Sequence, residues 1–315
     1  MLTVAIAAAL AVSGCSPAHR STSEPSPTTV AVTAPSGAPP GTTSSPSASG
    51  TPRPSSGPKS TPKTPTAKPT TKPKPTASKP AAATGPISCG GHVDLSRPTY
   101  HGTGPFGSLA STGSTAVALT FDDGPDPVNT PKILDLLKQC GVHATFCLVG
   151  HRARDNPDLV RRIYNEGHTL CNHSWQHLDL SHPPATTATG KPYTILHDLE
   201  ATNNAIHKAV PGAPIKYFRA PYGNWTQDVI DAAKALGMTP LDWSVDPRDW
   251  DSATFGTGAP LVTHVIDTVE AKVRPGSIVL SHDNAHPDTI TAYRTLLPWL
   301  KARFKLIPMP VTVSP

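Results

Sequence analysis

From Cys89 onward, short apolar runs alternate with amphipathic stretches, and that alternation confines the chain to a parallel sheet covered by helices. Strands are predicted at Ala116–Phe121, Ala144–Val149, His168–Cys171, Tyr217–Arg219, Met238–Leu241, Ser277–Ser281 and Phe304–Ile307. Helical periodicity falls between them, over Pro131–Leu137, Pro157–Glu166, Leu196–Val210, Thr226–Leu236, Val262–Val273 and Thr289–Arg303. About seven such units predict a closed or nearly closed α/β barrel of parallel strands rather than an open sheet. In such barrels the carboxyl ends of the strands build the functional site.

The first part of the chain has a different composition. Of the 38 prolines, 17 fall between Ser16 and Ser88, in a Thr/Ser/Ala/Lys background with few large apolar residues. Such a segment buries too little surface to offset chain entropy, so residues 16–88 are expected to be a disordered or polyproline-like linker. Fully extended, it would reach on the order of 200 Å. Ahead of it, Leu2–Val12 is too short to span a bilayer stably but suits a signal segment. Val12-Ser13-Gly14-Cys15 resembles a bacterial lipoprotein cleavage box, with Cys15 as the lipidated residue. The expected organisation is a signal segment over 1–15, a linker over 16–88 and a catalytic domain over 89–315, exported and held to the outer face of the membrane by lipid. The alternative is an ordinary secretory signal and a secreted protein.

The net charge of +5 belongs to the tail. Eight of the 27 Lys/Arg but only Glu24 among the acids precede Cys89, so the rest is near neutral. A diffuse Lys-Pro-Thr tract without aromatic interleaving is a poor nucleic-acid reader, and no nucleic-acid partner is expected. Cys89, Cys140, Cys147 and Cys171 remain after Cys15, which permits two disulfides in an exported protein. Cys89 with Cys140 is the favoured pair, because Cys89 stands where the linker ends. Cys147 and Cys171 either pair or serve as buried small hydrophobes.

The unusual polar residues gather where the strands end. Asp122 and Asp123 follow the first strand, His173 and His177 the third, Arg219 the fourth and His282 the sixth. Two adjacent carboxylates repel unless a cation or proton relieves them. Asp123, His173 and His177 together offer one oxygen and two nitrogen ligands and leave a position open, as a catalytic divalent metal requires. Zinc suits that set, with cobalt or another transition metal as substitutes. Asp122 is then free to deprotonate a water, with Arg219 holding it ionised. His282 can protonate a leaving group if a carboxylate keeps its pKa up, and Asp249 is the candidate. Trp250 and Leu280 could wall a small apolar pocket.

Thr120-Phe121-Asp122-Asp123-Gly124-Pro125, His173-Ser174-Trp175-Gln176-His177, Arg219-Ala220-Pro221-Tyr222, Asp249-Trp250 and Leu280-Ser281-His282 stand in the order and spacing of the polysaccharide deacetylase family. The chain therefore resembles the NodB-homology domain of carbohydrate esterase family 4, over about Ser114–Pro308. The resemblance implies a distorted (β/α) barrel, a divalent metal that is usually zinc, and removal of N- or O-acetyl groups from glycans. It assigns Asp122 as base, Asp123, His173 and His177 as ligands, and His282 as acid steadied by Asp249. Arg219 would orient the base. The Tyr222 backbone N–H would stabilise an oxyanion, and Trp250 and Leu280 would hold the acetyl methyl. The sequence departs from the family pattern at Cys147, Cys171 and Ala220, none of which carries chemistry. The expected substrate is N-acetylhexosamine of peptidoglycan or a chitin-like polymer, and the expected state is a monomer. Acetylxylan O-deacetylation and a non-catalytic wall-binding module are the alternatives.

Overall fold

The computed structural model describes residues 85–90 and 96–311. The expected signal segment, Cys15 and the linker as far as residue 84 lie outside the described residues. In chain order the elements are β1 (Val117–Asp122), α1 (Thr130–Cys140), β2 (Thr145–Leu148), α2 (Gly150–Asp155), α3 (Pro157–Asn165) and β3 (Thr169–Asn172). Then come α4 (Ile195–Ala209), β4 (Tyr217–Phe218), α5 (Gln227–Ala235), β5 (Thr239–Pro240), α6 (Ser252–Phe255), α7 (Ala259–Lys272), β6 (Ile278–His282), α8 (Pro287–Lys301) and β7 (Leu306–Ile307). All the strand pairings are parallel, in the order β5-β4-β3-β2-β1-β6.

Alternation along β1 divides two cores. Val117, Leu119 and Phe121 point outward into the layer shared with the helices, where the Phe121 ring stacks on Phe146 at 5.2 Å and meets Tyr293 at 5.0 Å. Ala118 points inward, to a smaller cluster of Cys147, Cys171, Tyr217, Leu241, Ile278 and Met309. Every β1 residue is buried, which explains why the strand reads as an unbroken apolar run. The helices begin and end where local chemistry permits. α1 has a proline in its first turn and ends at Gly141, whose left-handed backbone (φ 57°) returns its N–H to the Leu137 and Lys138 carbonyls. Thr194 and Thr226 cap α4 and α5 by accepting from the His197 and Val229 N–H groups. Fully burying Ile133, Leu134 and Leu137 of α1 contributes roughly 1.5–3 kcal/mol each.

Seven strands form a curled, incompletely closed parallel sheet with surrounding helices, consistent with the expected distorted barrel. β7 pairs with the start of β1 (Val117 with Leu306, Ala118 with Ile307), on the edge that β2 takes further along. It therefore fills in below β2 and does not complete the ring. β5 and β6 do not pair as strands. The run after β5 crosses between them and makes a single bridge, Val245 with Val279. Nine of the thirteen predicted elements shift by no more than one residue at each end, and α2 and α6 are additions.

The cysteines form Cys89–Cys140 and Cys147–Cys171. The first is the expected pair. The second joins register partners on β2 and β3 and lies in the inner cluster, which resolves the alternative left open by the sequence.

A metal-ligand cluster at the carboxyl ends of the strands

The strand ends bring the chemistry together. Asp122 is the last residue of β1 and stands in register with His282, the last residue of β6. Asn172 ends β3 in register with Phe218 at the end of β4, so His173 and Arg219 leave the sheet side by side. His173 Nδ1 lies 2.8 Å from the Arg219 carbonyl oxygen. As donor there, the ring turns Nε2 toward the carboxylates, 3.3 Å from Asp123 Oδ1 and 3.7 Å from Asp122 Oδ2. His177 Nε2 is 3.2 Å from the same Asp123 oxygen.

These three side chains fit a metal. One ligand atom from each of Asp123, His173 and His177 lies within 4.8 Å of the others. Asp123 Oδ1 is buried and has no hydrogen-bond partner among the described residues, although two imidazole nitrogens face it. A shared cation would satisfy that oxygen, and an oxygen with two imidazole nitrogens is a donor set for zinc-like metals. Burial would raise the Asp123 carboxyl, but the neighbouring imidazoles, His173 first, hold it below the usual carboxylate range. Burial and the His173 charge push His177 down to about 4, leaving its ring neutral and able to ligate.

Asp122 is tied differently. Arg219, fully buried, donates from Nη1 to Asp122 Oδ1 at 2.7 Å and to Thr120 Oγ1 at 2.8 Å. Its remaining donors reach the carbonyls of Leu241 (3.3 Å) and Asp242 (3.0 Å), and the guanidinium lies 5.6 Å from the Trp243 ring. A buried ion pair is costly to desolvate, and these further partners offset that cost.

His282 and Asp249 form a second pair. The ring's Nδ1 is 2.8 Å from Asp249 Oδ1, and Asp249 Oδ2 accepts from the His282 N–H (2.8 Å) and Thr289 Oγ1 (2.7 Å). Burial alone would lower His282, but the Asp249 charge and hydrogen bond raise it to about 10. His282 is therefore held protonated near neutral pH.

The two pairs face one pocket of about 320 Å³, which Tyr222, Trp243, Asp246, Trp250 and Leu280 also line. Tyr222 and Trp250 are 64% and 45% exposed, so they form its rim, and the Tyr222 ring lies 4.6 Å from His177. Every site residue predicted within the described residues is thus brought to one place: Asp122, Asp123, His173, His177, Arg219, Tyr222, Asp249, Trp250, Leu280 and His282.

The backbone is unusual here. Asp123 (φ 73°), Ser174 (64°), His177 (57°) and Tyr222 (61°) occupy the left-handed region without being glycine, at a cost of order 1–3 kcal/mol each. Side chains hold these turns. Arg152 of α2 donates to the Asp123 carbonyl at 2.5 Å. Asn172 Oδ1 accepts from the Ser174 N–H, Ser174 Oγ from His177 N–H and Asp198 Oδ1 from Trp175 N–H.

Several of these supports escape sequence reasoning. Arg152, Asn172 and Asp198 sit in segments whose periodicity gives no functional signal. Asp283 does too. It is completely buried behind the two aspartates, accepts from Thr130 Oγ1, and is pushed up to about 7 by burial and the nearby carboxylates. A Cβ on Gly124 would stand 2.5 Å from its carboxylate oxygens, so the glycine of the Asp-Asp-Gly turn makes room for it. The adjacency of Asp283 to His282 was the available clue.

The family profile described as polysaccharide deacetylase matches residues 110–241. A chitooligosaccharide deacetylase of Sinorhizobium fredii is 44% identical over 58% of this chain and 78% of its own. A peptidoglycan-N-acetylglucosamine deacetylase of Bacillus cereus is 36% identical over 61% of this chain and 66% of its own. Among solved structures, a family 4 carbohydrate esterase from Streptomyces lividans in complex with acetate superposes with a TM-score of 0.52 at 28% identity, over 62% of this chain and 91% of that one. The sequence similarity and the shared fold together make this chain a member of the polysaccharide deacetylase family, the NodB-homology group of carbohydrate esterase family 4.

Proposed function

We propose that this polysaccharide deacetylase hydrolyses the acetamido groups of N-acetylhexosamine units in peptidoglycan or a chitin-like polymer, with zinc as its metal and cobalt as a substitute. The observation that carries the reading is the single pocket in which a metal-ligand triad, an arginine-held carboxylate and a carboxylate-held histidine meet. The names of the relatives support amide rather than ester substrates.

Asp123, His173 and His177 would hold the metal, which when bound supplies Lewis acidity to an acyl oxygen and to water beside it. Asp122, oriented by Arg219, takes a proton from the attacking water as the water oxygen bonds to the acyl carbon. The Tyr222 N–H donates to the oxygen that gains charge. His282 passes its proton to the departing nitrogen as the carbon–nitrogen bond breaks, giving acetate and a free amine. Asp249 keeps the ring oriented and stabilises its charged form. Leu280 and Trp250 enclose the acetyl methyl.

The N-terminal sequence supports export, with Cys15 as a lipid anchor and the proline-rich tract as a spacer to the wall. The test is acetate release from purified peptidoglycan, chitin oligomers and acetylxylan, before and after chelation. Release from the first two substrates, lost with chelator and restored by zinc, is the expected outcome. Release from acetylxylan alone would replace the substrate assignment, and no release after metal restoration would leave a glycan-binding module.

A further inference from the structure

The chain from Gly104 to Ser111 precedes every motif of the site, yet it lies against the residues that cradle Arg219. Leu109 makes a parallel bridge with Leu241, just past β5, and Ser111 an antiparallel one with Ser277, just before β6. This lead-in therefore adds to the edge that β5 leaves at the end of the sheet. The Leu109 N–H donates to the Pro240 carbonyl and the Asp242 N–H to the Leu109 carbonyl, both at 2.8 Å. From the other side, the Leu241 N–H donates to the Phe218 carbonyl at 2.8 Å. Residues 240–242 are thus held between β4 and the lead-in.

Asp242 is the residue on which this contact closes. It is buried, and its Oδ2 accepts from the hydroxyl of the fully buried Ser108 at 3.3 Å. A tight loop delivers that hydroxyl: the Gly104 N–H donates to the Ser108 carbonyl (2.8 Å) and the Ser108 N–H to the Pro105 carbonyl (3.0 Å). A Cβ on Gly104 would collide with both the Asp242 carboxylate and the Ser108 hydroxyl, although the backbone there (φ −86°) is open to any residue. Glycine stands at 104 for the close approach. Burial pushes the Asp242 carboxyl up, while the Arg219 charge and the Trp243 N–H favour its ionised form. Neither Ser108 nor the Asp242 side chain has a part in the chemistry described above.

Three consecutive residues hold the guanidinium. Leu241 and Asp242 offer carbonyls to Nε and Nη2, and the Trp243 ring lies 5.6 Å away. Nη1 reaches Thr120 and Asp122. The guanidinium is planar and rigid, so where those carbonyls stand sets where Nη1 points. We propose that Asp242 is a positioning residue: clamped by Ser108 and Leu109, it holds the Leu241 and Asp242 carbonyls so that Arg219 meets Asp122 in the geometry that turnover needs. The proposal rests on the glycan-deacetylase reading and carries the functional unit back to Gly104. Misplacing a group that acts on the reacting atoms lowers the rate more than it weakens substrate binding.

The test compares S108A, D242N and D242A with wild type on a chitin oligomer of one length, and repeats the comparison in an R219A background. D242N keeps the side chain's shape and an acceptor for Ser108, whereas D242A keeps neither. In D242A kcat should fall about tenfold, the scale of one buried hydrogen bond, with KM and metal content near wild type. D242N should recover most of that loss, and S108A should show a smaller loss of the same kind. In R219A, where no guanidinium remains to be placed, D242A should cost nothing further of the residual rate. A wild-type kcat in D242A, a rise in KM in place of the loss in kcat, or the same loss in the R219A background overturns the proposal and leaves the deacetylase reading intact. If D242A does not fold, S108A and S108A/R219A decide by the same comparison. If wild type releases no acetate from any glycan, the deacetylase reading fails instead, and the placement is read without turnover. Hydrogen exchange at the Arg219 Nε–H is then followed by NMR on isotope-labelled protein, with R219K identifying the resonance. Exchange about tenfold faster in D242A supports the clamp, and exchange equal to wild type overturns it.

Discussion

At the scale of single residues, Asp122 and Asp123 are neighbours with unlike surroundings. One is gripped by a fully buried guanidinium, the other faces two imidazoles and lacks a hydrogen bond on its inner oxygen. Replacing each group should therefore separate chemistry from metal binding. In D122N the turnover should fall by about 10²–10⁴-fold, the usual contribution of a positioned base, with metal content close to wild type. In H173A both turnover and metal content should fall. Acetate release together with metal analysis of the purified proteins checks this, and normal turnover in D122N would remove Asp122 from the base role. The division was legible in the sequence because the ligands and the arginine lie in recognisable motifs. Asp283 and Gly124 were less so, since a buried carboxyl that needs a glycine opposite it is a feature of packing, and packing has no linear pattern.

At the scale of elements, strands and helices followed from period and punctuation, because β1 to β4 are buried along their whole length and each long helix has a proline, threonine or glycine at an end. α2 was not legible. It is six residues of Gly-His-Arg-Ala-Arg-Asp, too short and polar to show a helical stripe, and it forms because its first residues bond to the metal-ligand turn: the Gly150 and His151 N–H groups donate to the Ser174 and Trp175 carbonyls. A clip at the opposite ends of β2 and β3 gives an acid-stability prediction. His168 Nδ1 accepts from the Ala144 N–H at 3.0 Å, so the ring is neutral, and burial lowers its pKa from 6.5 to about 4. Its depressed folded pKa means that the unfolded chain takes up this proton first. The stabilisation is thus complete above about pH 6.5 and is lost as the pH falls toward 4, by roughly 2–3 kcal/mol. H168N, which keeps an acceptor but cannot titrate, should flatten that part of the curve by about one proton. Urea unfolding between pH 4 and 7 measures it, and an unchanged slope would refute the assignment.

At the scale of the molecule, seven strands, surrounding helices and a distorted barrel were expected and are found, whereas the edge the last strand takes was not legible, because strand count does not specify it. The N-terminal end of the described region is secured by Cys89–Cys140, which closes a loop of 51 residues. Removing that crosslink with C89S/C140S should lower stability by about 2–4 kcal/mol, read as a shift in the denaturant midpoint. Acetate release should survive at temperatures below the new transition, since neither cysteine lines the pocket. A midpoint unchanged by the double substitution would show that the crosslink contributes nothing to the folded domain.

The single bridge between Val245 and Val279 has a consequence for tolerance to change. The nine residues from Leu241 to Asp249 span that gap, and both ends reach into the chemistry: Leu241 and Asp242 carbonyls hold the arginine beside Asp122, while Asp249 holds the ring of His282. One continuous strip of backbone thus acts as a gauge between the carboxylate proposed to receive a proton and the imidazole proposed to return it. Its length, more than the identity of its middle residues, should be what the enzyme cannot give up.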